Sequence, residues 1–248
     1  MGDRPDFIGT RDAIRWRPAA DTQGRQSVAR KPSKSNVLAY RPKRNGRPAD
    51  KAAADTGVPR QDDARVMALD LPAGTLSPAM QTYFDKCREK LGFVPNVLLA
   101  YAFDNAKLEA FVAFYNDLML GPSGLSKLER EMIAVAVSSQ NRCYYCLTAH
   151  GAAVRVYSGD PALGELMAMN YRAAKLTKKQ RTMLDFTVKM TNESYAVEEE
   201  DREALRRAGF SDRDIWDIAA VAGFFNMSNR VASATDMRPN AVYHGQGR

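Results

Sequence analysis

Residues 125–151 read LSKLEREMIAVAVSSQNRCYYCLTAHG. The first half is a helix start followed by an apolar run. Ser126-Lys127-Leu128-Glu129 fits a capping box, in which the serine side chain accepts the Glu129 N–H and the glutamate reaches back to the cap. Met132-Ile133-Ala134-Val135-Ala136-Val137 then puts apolar groups around the whole circumference, so this helix is predicted to be central. The second half carries two of the chain's three cysteines, in Cys143-Tyr144-Tyr145-Cys146, and one of its two histidines, His150. Asn141 is the expected cap of the helix that bears them.

Outward from this stretch the punctuation is that of successive helices. Upstream, Ser77-Pro78 supplies an N-cap and a first-turn proline, and Gly92 closes the helix after Leu91. Tyr83, Phe84, Cys87 and Leu91 share its apolar face. A turn at Pro95-Asn96 leads into Val97 to Phe103. Leu108, Phe111, Val112, Tyr115 and Met119 then form a stripe that ends at Gly121-Pro122. Downstream, helices are expected to start at Asp160-Pro161, at Thr177 with Gln180, and at Ser211 with Asp214. A charged helix through Arg206 stops near Gly209. Phe224-Phe225, Met227 and Val231 suit a core, with a subunit seam as the alternative. No run alternates like a strand, so the fold class is all-α.

The balance of charge divides the 248 residues unevenly. Residues 1–60 hold fourteen Lys/Arg against six Asp/Glu and six of the twelve prolines, so that segment is +8 and the rest of the chain, whose total is +7, sums to −1. Such a composition cannot bury enough apolar surface to offset its ordering entropy. Residues 1–65 are therefore expected to be a disordered basic tail, and 66–248 the helical domain. Arg41, Lys43, Arg44 and Arg47 could attach weakly to RNA or anionic lipid, but no aromatic platform or fold motif accompanies them, which disfavours nucleic acid. The longest uncharged apolar stretch, Ile218 to Phe225, is far short of the roughly 20 residues a membrane span needs. The N-terminus has no positively charged region leading into an apolar core, so no secretory signal is expected, and three cysteines are too few for a disulfide framework; a cytoplasmic protein is expected.

In that setting the C-x-x-C pair points to redox chemistry or metal binding. On a helix, positions 143, 146 and 150 would fall within an arc of roughly 60°, both sulfurs and the imidazole facing one side. Near a helix start, exposed N–H groups and the macrodipole favour a thiolate, most strongly at Cys143. His150 follows Cys146 by four residues, a spacing at which side chains meet. Glu131, on the preceding helix, is a carboxylate at the edge of an apolar run. Desolvation there would raise its pKa and suit it to proton transfer. Its alternative is an exposed charge favouring the helix dipole. The pair's alternatives are two inert buried cysteines, or a zinc site of Cys143, Cys146, His150 and a fourth ligand. For that fourth ligand the chain offers only Cys87, far upstream, and His244.

Glu131, eleven intervening residues, Cys143-x-x-Cys146, three more and His150 resemble the active-site pattern of AhpD-like alkylhydroperoxidases, within the carboxymuconolactone decarboxylase superfamily. Leu125-Ser126-x-x-Glu129-Arg130-Glu131 and Cys146-Leu147-Thr148-Ala149-His150-Gly151 agree. Gly92-Phe93-Val94-Pro95-Asn96 and Gly209-Phe210-Ser211-Asp212 are similar to its peroxidase-related branch. The resemblance covers roughly 67–242. It implies an all-α domain assembling into trimers or hexamers. It also implies a dithiol that reduces hydroperoxides at the expense of a lipoyl- or thioredoxin-like thiol donor, with no metal and no cofactor. It makes Cys146 the attacking sulfur, Cys143 the resolving thiol, and Glu131 with His150 the proton relay. One position departs: the alkylhydroperoxidase D pattern has histidine just before the second cysteine, where this chain has Tyr145. A lactone decarboxylase on the same fold and a non-catalytic redox sensor are the rival readings. Decarboxylase members generally lack the C-x-x-C.

Overall fold

The computed structural model describes residues 65–248. The expected basic tail lies outside the described residues except for Arg65, whose guanidinium is 3.5 Å from Asp236. Nine α-helices succeed one another among the described residues, which contain no strand: α1 Pro78–Leu91, α2 Asn96–Tyr101, α3 Asn105–Leu120, α4 Lys127–Gln140, α5 Tyr144–Ser158, α6 Pro161–Asn170, α7 Lys178–Asn192, α8 Glu199–Arg207 and α9 Asp212–Ala234. The class is all-α, as expected. None of these helices is long and apolar enough to cross a membrane.

The starts follow local side-chain chemistry. Ser77 caps α1, and Gly92 closes it in the left-handed region at φ 81°. Ser126/Glu129, Thr177/Gln180 and Ser211/Asp214 each complete a capping box. Asp104 caps α3 by accepting the N–H groups of Ala106 and Lys107. Each such cap is worth about 1 kcal/mol.

Helix α4 is the axis of the molecule, packed by α3, α5, α6, α7 and α9. Met132 through Val137 are wholly buried. Each of its larger side chains contributes about 1.5–3 kcal/mol of apolar burial. Phe224 and Phe225 enter the same core, whereas Met227 stays 43% exposed, so the core reading of Met227 fails. On α1 Phe84 and Met80 are buried in the core and Tyr83 and Cys87 pack against it, as the expected face requires, while Leu91 is half-exposed at 50%. Leu91 lies one turn beyond the packed part of α1, at the rim of a cavity described below.

The turn from α4 to α5 corrects the expected cap. Asn141 ends α4 and does not start α5. Arg142 takes a left-handed conformation at φ 53°. Its N–H bonds Ser139 O at 3.2 Å, and the Cys143 N–H bonds Ser138 O at 3.0 Å. This pair of bonds is a Schellman closure, in which a residue just past the helix end turns the chain back. Cys143 is thereby the N-cap of α5, with extended φ −81° and ψ 105°. The helical arc drawn through 143, 146 and 150 therefore holds only for Cys146 and His150.

A second Schellman closure ends α9. Asp236 is left-handed at φ 47°, and the Met237 N–H bonds Ala232 O at 2.9 Å. Both closures meet at one small cluster. Cys143, Tyr145, Cys146, Ala100, Ala232 and Met237 pack together, with Val66 and Met67 laid over them. Ala68 N–H to Thr235 O and Arg238 N–H to Val66 O fasten that segment.

Candidate active site

The structure brings Glu131 and His150 together from α4 and α5. Glu131 is only 7% exposed, and its Oε2 lies 2.6 Å from His150 Nδ1. With the carboxylate as acceptor, Nδ1–H donates, which leaves Nε2 as the nitrogen available for proton transfer. The imidazole meets the Phe225 ring edge-to-face, with centroids 4.6 Å apart, which fixes its plane.

Both sulfurs are buried, Cys143 at 1% and Cys146 at 2% exposure, and both are free thiols. They lie side by side with unequal surroundings. The Cys146 thiol beside it pulls the Cys143 pKa down to about 6. Burial opposes that shift, while the Cys146 N–H, the Ser233 hydroxyl and the charge of His150 assist it. The Cys146 N–H belongs to the first turn of α5, so the helix terminus contributes, but the partner thiol is the larger cause. Cys146 moves the opposite way. Sharing its proton with Cys143, and then burial, hold it well above the ordinary thiol range. Two α9 side chains, Asn229 and Ser228, favour its anion in return.

Asn229 is fully buried, and its amide is locked in direction. Asn141 Nδ2 donates to Asn229 Oδ1 at 3.0 Å, and Asn229 Nδ2 donates to Ser138 Oγ at 3.0 Å. That turns its N–H groups toward the Ser138 and Cys146 side. Neither Ser228 nor Asn229 was among the residues expected from sequence. The available signal was a buried stripe, Ile218, Val221, Ala222, Phe225 and Ala232, whose helical spacing also takes in this Ser-Asn pair. A polar residue on a buried face needs a partner.

Helices α1 to α5, α9 and the C-terminal residues Tyr243 and Gln246 enclose a cavity of about 460 Å³. Glu131, Cys146 and His150 line it; Cys143 does not. Cys146 thus belongs both to the cavity wall and to the sulfur cluster that Val66 and Met67 pack against, whereas Cys143 belongs only to the cluster. Tyr145, the departure from the histidine pattern, is buried and likewise belongs to both. Its hydroxyl accepts the Val97 N–H at 2.9 Å, tying α5 to the first turn of α2. Arg155 holds the C-terminal wall through Tyr243 O at 2.6 Å and Gln246 O at 2.9 Å. Cys87 lines the same cavity from α1. His244 pairs with Tyr144 at 3.3 Å. No three His, Cys, Asp or Glu side chains among the described residues are grouped to hold a metal ion.

Known proteins bear on this arrangement. The family model described as "Carboxymuconolactone decarboxylase family" matches residues 106–162, a span that contains Glu131, Cys143, Cys146 and His150. A solved, uncharacterized peroxidase-related protein from Silicibacter sp. TM1040 is 68% identical, over 74% of this chain and 96% of that one, with a TM-score of 0.72. A second, from Ralstonia eutropha JMP134 and described as an alkylhydroperoxidase AhpD core, is 42% identical over 75% and 98%, again with a TM-score of 0.72. The debrominase Bmp8 shares the fold at 18% identity and a TM-score of 0.60, over 75% of this chain and 97% of that one. No functionally curated protein matches the sequence. Identity of this extent across the whole helical region places the chain in the AhpD-like, peroxidase-related branch of the carboxymuconolactone decarboxylase superfamily.

Proposed function

We propose that the protein is a thiol peroxidase that reduces organic hydroperoxides through a dithiol–disulfide cycle at Cys143 and Cys146. The observation that carries this reading is the division of labour between the sulfurs. Cys146 faces the cavity that also holds Glu131 and His150, and Cys143 is the readily ionised thiol beside it. Low pKa and access are separate requirements for a reactive cysteine, and here they fall on different residues.

The pair shares one proton near neutral pH, held as Cys143 thiolate and Cys146 thiol. Passing that proton to Cys143 moves the negative charge to Cys146, where Asn229 and Ser228 stabilise it. The Cys146 sulfur attacks the terminal peroxide oxygen; an S–O bond forms and the O–O bond breaks. Protonated His150, paired with Glu131, gives its proton to the departing alkoxide, releasing the alcohol. Cys146 is then a sulfenic acid. The Cys143 sulfur attacks it, the S–O bond breaks, and hydroxide leaves as water with the Cys143 proton. A thiol or dithiol donor returns two electrons and two protons to open the disulfide.

One equivalent of hydroperoxide should remove two thiols per chain, and a dithiol reductant should restore them. Cys146→Ser should abolish turnover. Cys143→Ser should leave sulfenic acid at Cys146, read by mass spectrometry of a trapped adduct. Sulfenic acid at Cys143 alone would reverse the two roles. No thiol loss at all would favour the decarboxylase reading.

A further inference from the structure

The cavity beyond Cys146 is much larger than a peroxide group. Its volume of about 460 Å³ corresponds to roughly fifteen water molecules at about 30 Å³ each. Nine of its lining residues are Phe or Tyr. Several of these rings are braced by one another. Phe111 stacks on Tyr101 at 4.5 Å, Phe224 packs on Phe111 at 5.4 Å, and Phe93 meets Tyr243 edge-on at 5.5 Å. The walls are therefore formed in advance.

Charge in the cavity is equally selective. Among the described residues lining it, none is Lys or Arg, and Glu131 is the acid. Burial raises the pKa of Tyr115, Tyr145 and Tyr243, which keeps these phenols neutral. An anionic group carried into this space would lose its hydration, meet no Lys or Arg, and find the one imidazole already paired with the Glu131 carboxylate. At the rim, Leu91, Leu120, Val156 and Tyr157 are exposed and apolar, so the entrance is apolar as well.

We propose that this cavity selects uncharged hydroperoxides with a bulky, ring-bearing body of roughly ten to fifteen non-hydrogen atoms, and discriminates against hydrogen peroxide and against peroxides bearing a carboxylate. The proposal rests on the peroxidase reading above for its chemistry, but the selectivity belongs to the walls. Hydrogen peroxide would leave the rings hydrated and gain nothing from them. Each buried methylene strengthens binding about four-fold, so two already exceed ten-fold.

The test compares kcat/KM for hydrogen peroxide, tert-butyl hydroperoxide and cumene hydroperoxide, and for the para-carboxyl derivative of cumene hydroperoxide as free acid and as methyl ester. Expected are a rise of at least ten-fold from hydrogen peroxide to cumene hydroperoxide and a preference for the ester. Ala153→Phe and Val156→Trp, which fill the cavity and its rim, should lower the cumene-to-hydrogen peroxide ratio several-fold. A cumene advantage below ten-fold, or a preference for the free acid, would overturn the proposal. A binding measurement separates its failure from that of the peroxidase reading. Cys146→Ser protein is titrated calorimetrically with cumyl alcohol and with benzoate. Saturable binding of the alcohol but not of benzoate supports the selectivity even if no peroxide turns over, and absence of alcohol binding overturns it.

Discussion

Removing one thiol at a time tests the unequal pair most directly. The Cys146 thiol is the largest cause of the lowered Cys143 pKa, about 6 against an ordinary 9. At pH 7 a thiol with a pKa of about 6 is about 90% ionised and one at 9 about 1%, so the pair should hold some ninety-fold more thiolate than an unperturbed cysteine. The assay is thiolate absorbance at 240 nm against pH, on reduced protein in a Cys87→Ser background. Burial raises the Cys87 pKa, so this third thiol lies outside the window in any case. The wild-type pair should give one step near pH 6 and a second well above 9. Cys146→Ala should move the first step upward, and Cys143→Ala should abolish it. The sign for stability follows. A folded pKa below the unfolded one stabilises fully above about pH 9, and that contribution is lost as pH falls toward 6. The melting-temperature gap between reduced wild type and Cys143→Ala should therefore narrow from pH 9 to pH 6. A single step above pH 8 in the wild type would refute the reasoning. So would a Cys146→Ala variant whose step stays near 6.

Three further outcomes are expected. Glu131→Gln, which preserves the shape of the His150 contact but removes its charge, should cut peroxide turnover at least ten-fold, within the roughly 10²–10⁴-fold range of acid–base groups. Glu129→Gln, one turn out in the capping box, should leave turnover within two-fold. Asn229→Ala should shift the pH–rate profile upward and cost about 1–3 kcal/mol of stability, because Ser138 and Asn141 lose a buried partner. An unchanged profile in urea-stable protein would remove Asn229 from the chemistry. Deleting residues 1–64 should leave melting and turnover intact. Deleting through Leu69 should lower the melting temperature and speed reaction of Cys143 with a disulfide reagent, since Val66 and Met67 pack against the cluster that holds it.

What could be read from sequence follows the range of the interactions. The helix starts at Ser77, Ser126, Thr177 and Ser211 were legible because each cap closes within four residues. Helix α4 was legible as central because no orientation of Met132 to Val137 could leave that run facing water. Asn141 was misread for the opposite reason. It is a good cap by type, but its amide is engaged by Asn226 and Asn229, 85 and 88 residues away. The turn it ends uses a left-handed Arg142, where composition would have led one to seek glycine.

The site divides along the same line, and this decides which of its assignments rest on chemistry and which on access. Spacing put His150 on the face of Cys146, and helix-terminus logic gave Cys143 the lower pKa. That pKa is low as expected, although the neighbouring thiol and not the macrodipole is its main cause. Acidity alone would make Cys143 the attacking sulfur. The proposed cycle gives that role to Cys146, because Cys146 lines the cavity while Cys143 does not and lies in the cluster that Val66 and Met67 pack against. The groups that create this asymmetry lie far apart in sequence: segment 66–67, the polar Ser228-Asn229 pair of α9, and the C-terminal wall held by Arg155. No local pattern connects them. They meet only because α4 and α9 end in the same kind of left-handed turn, and both ends converge on one small cluster.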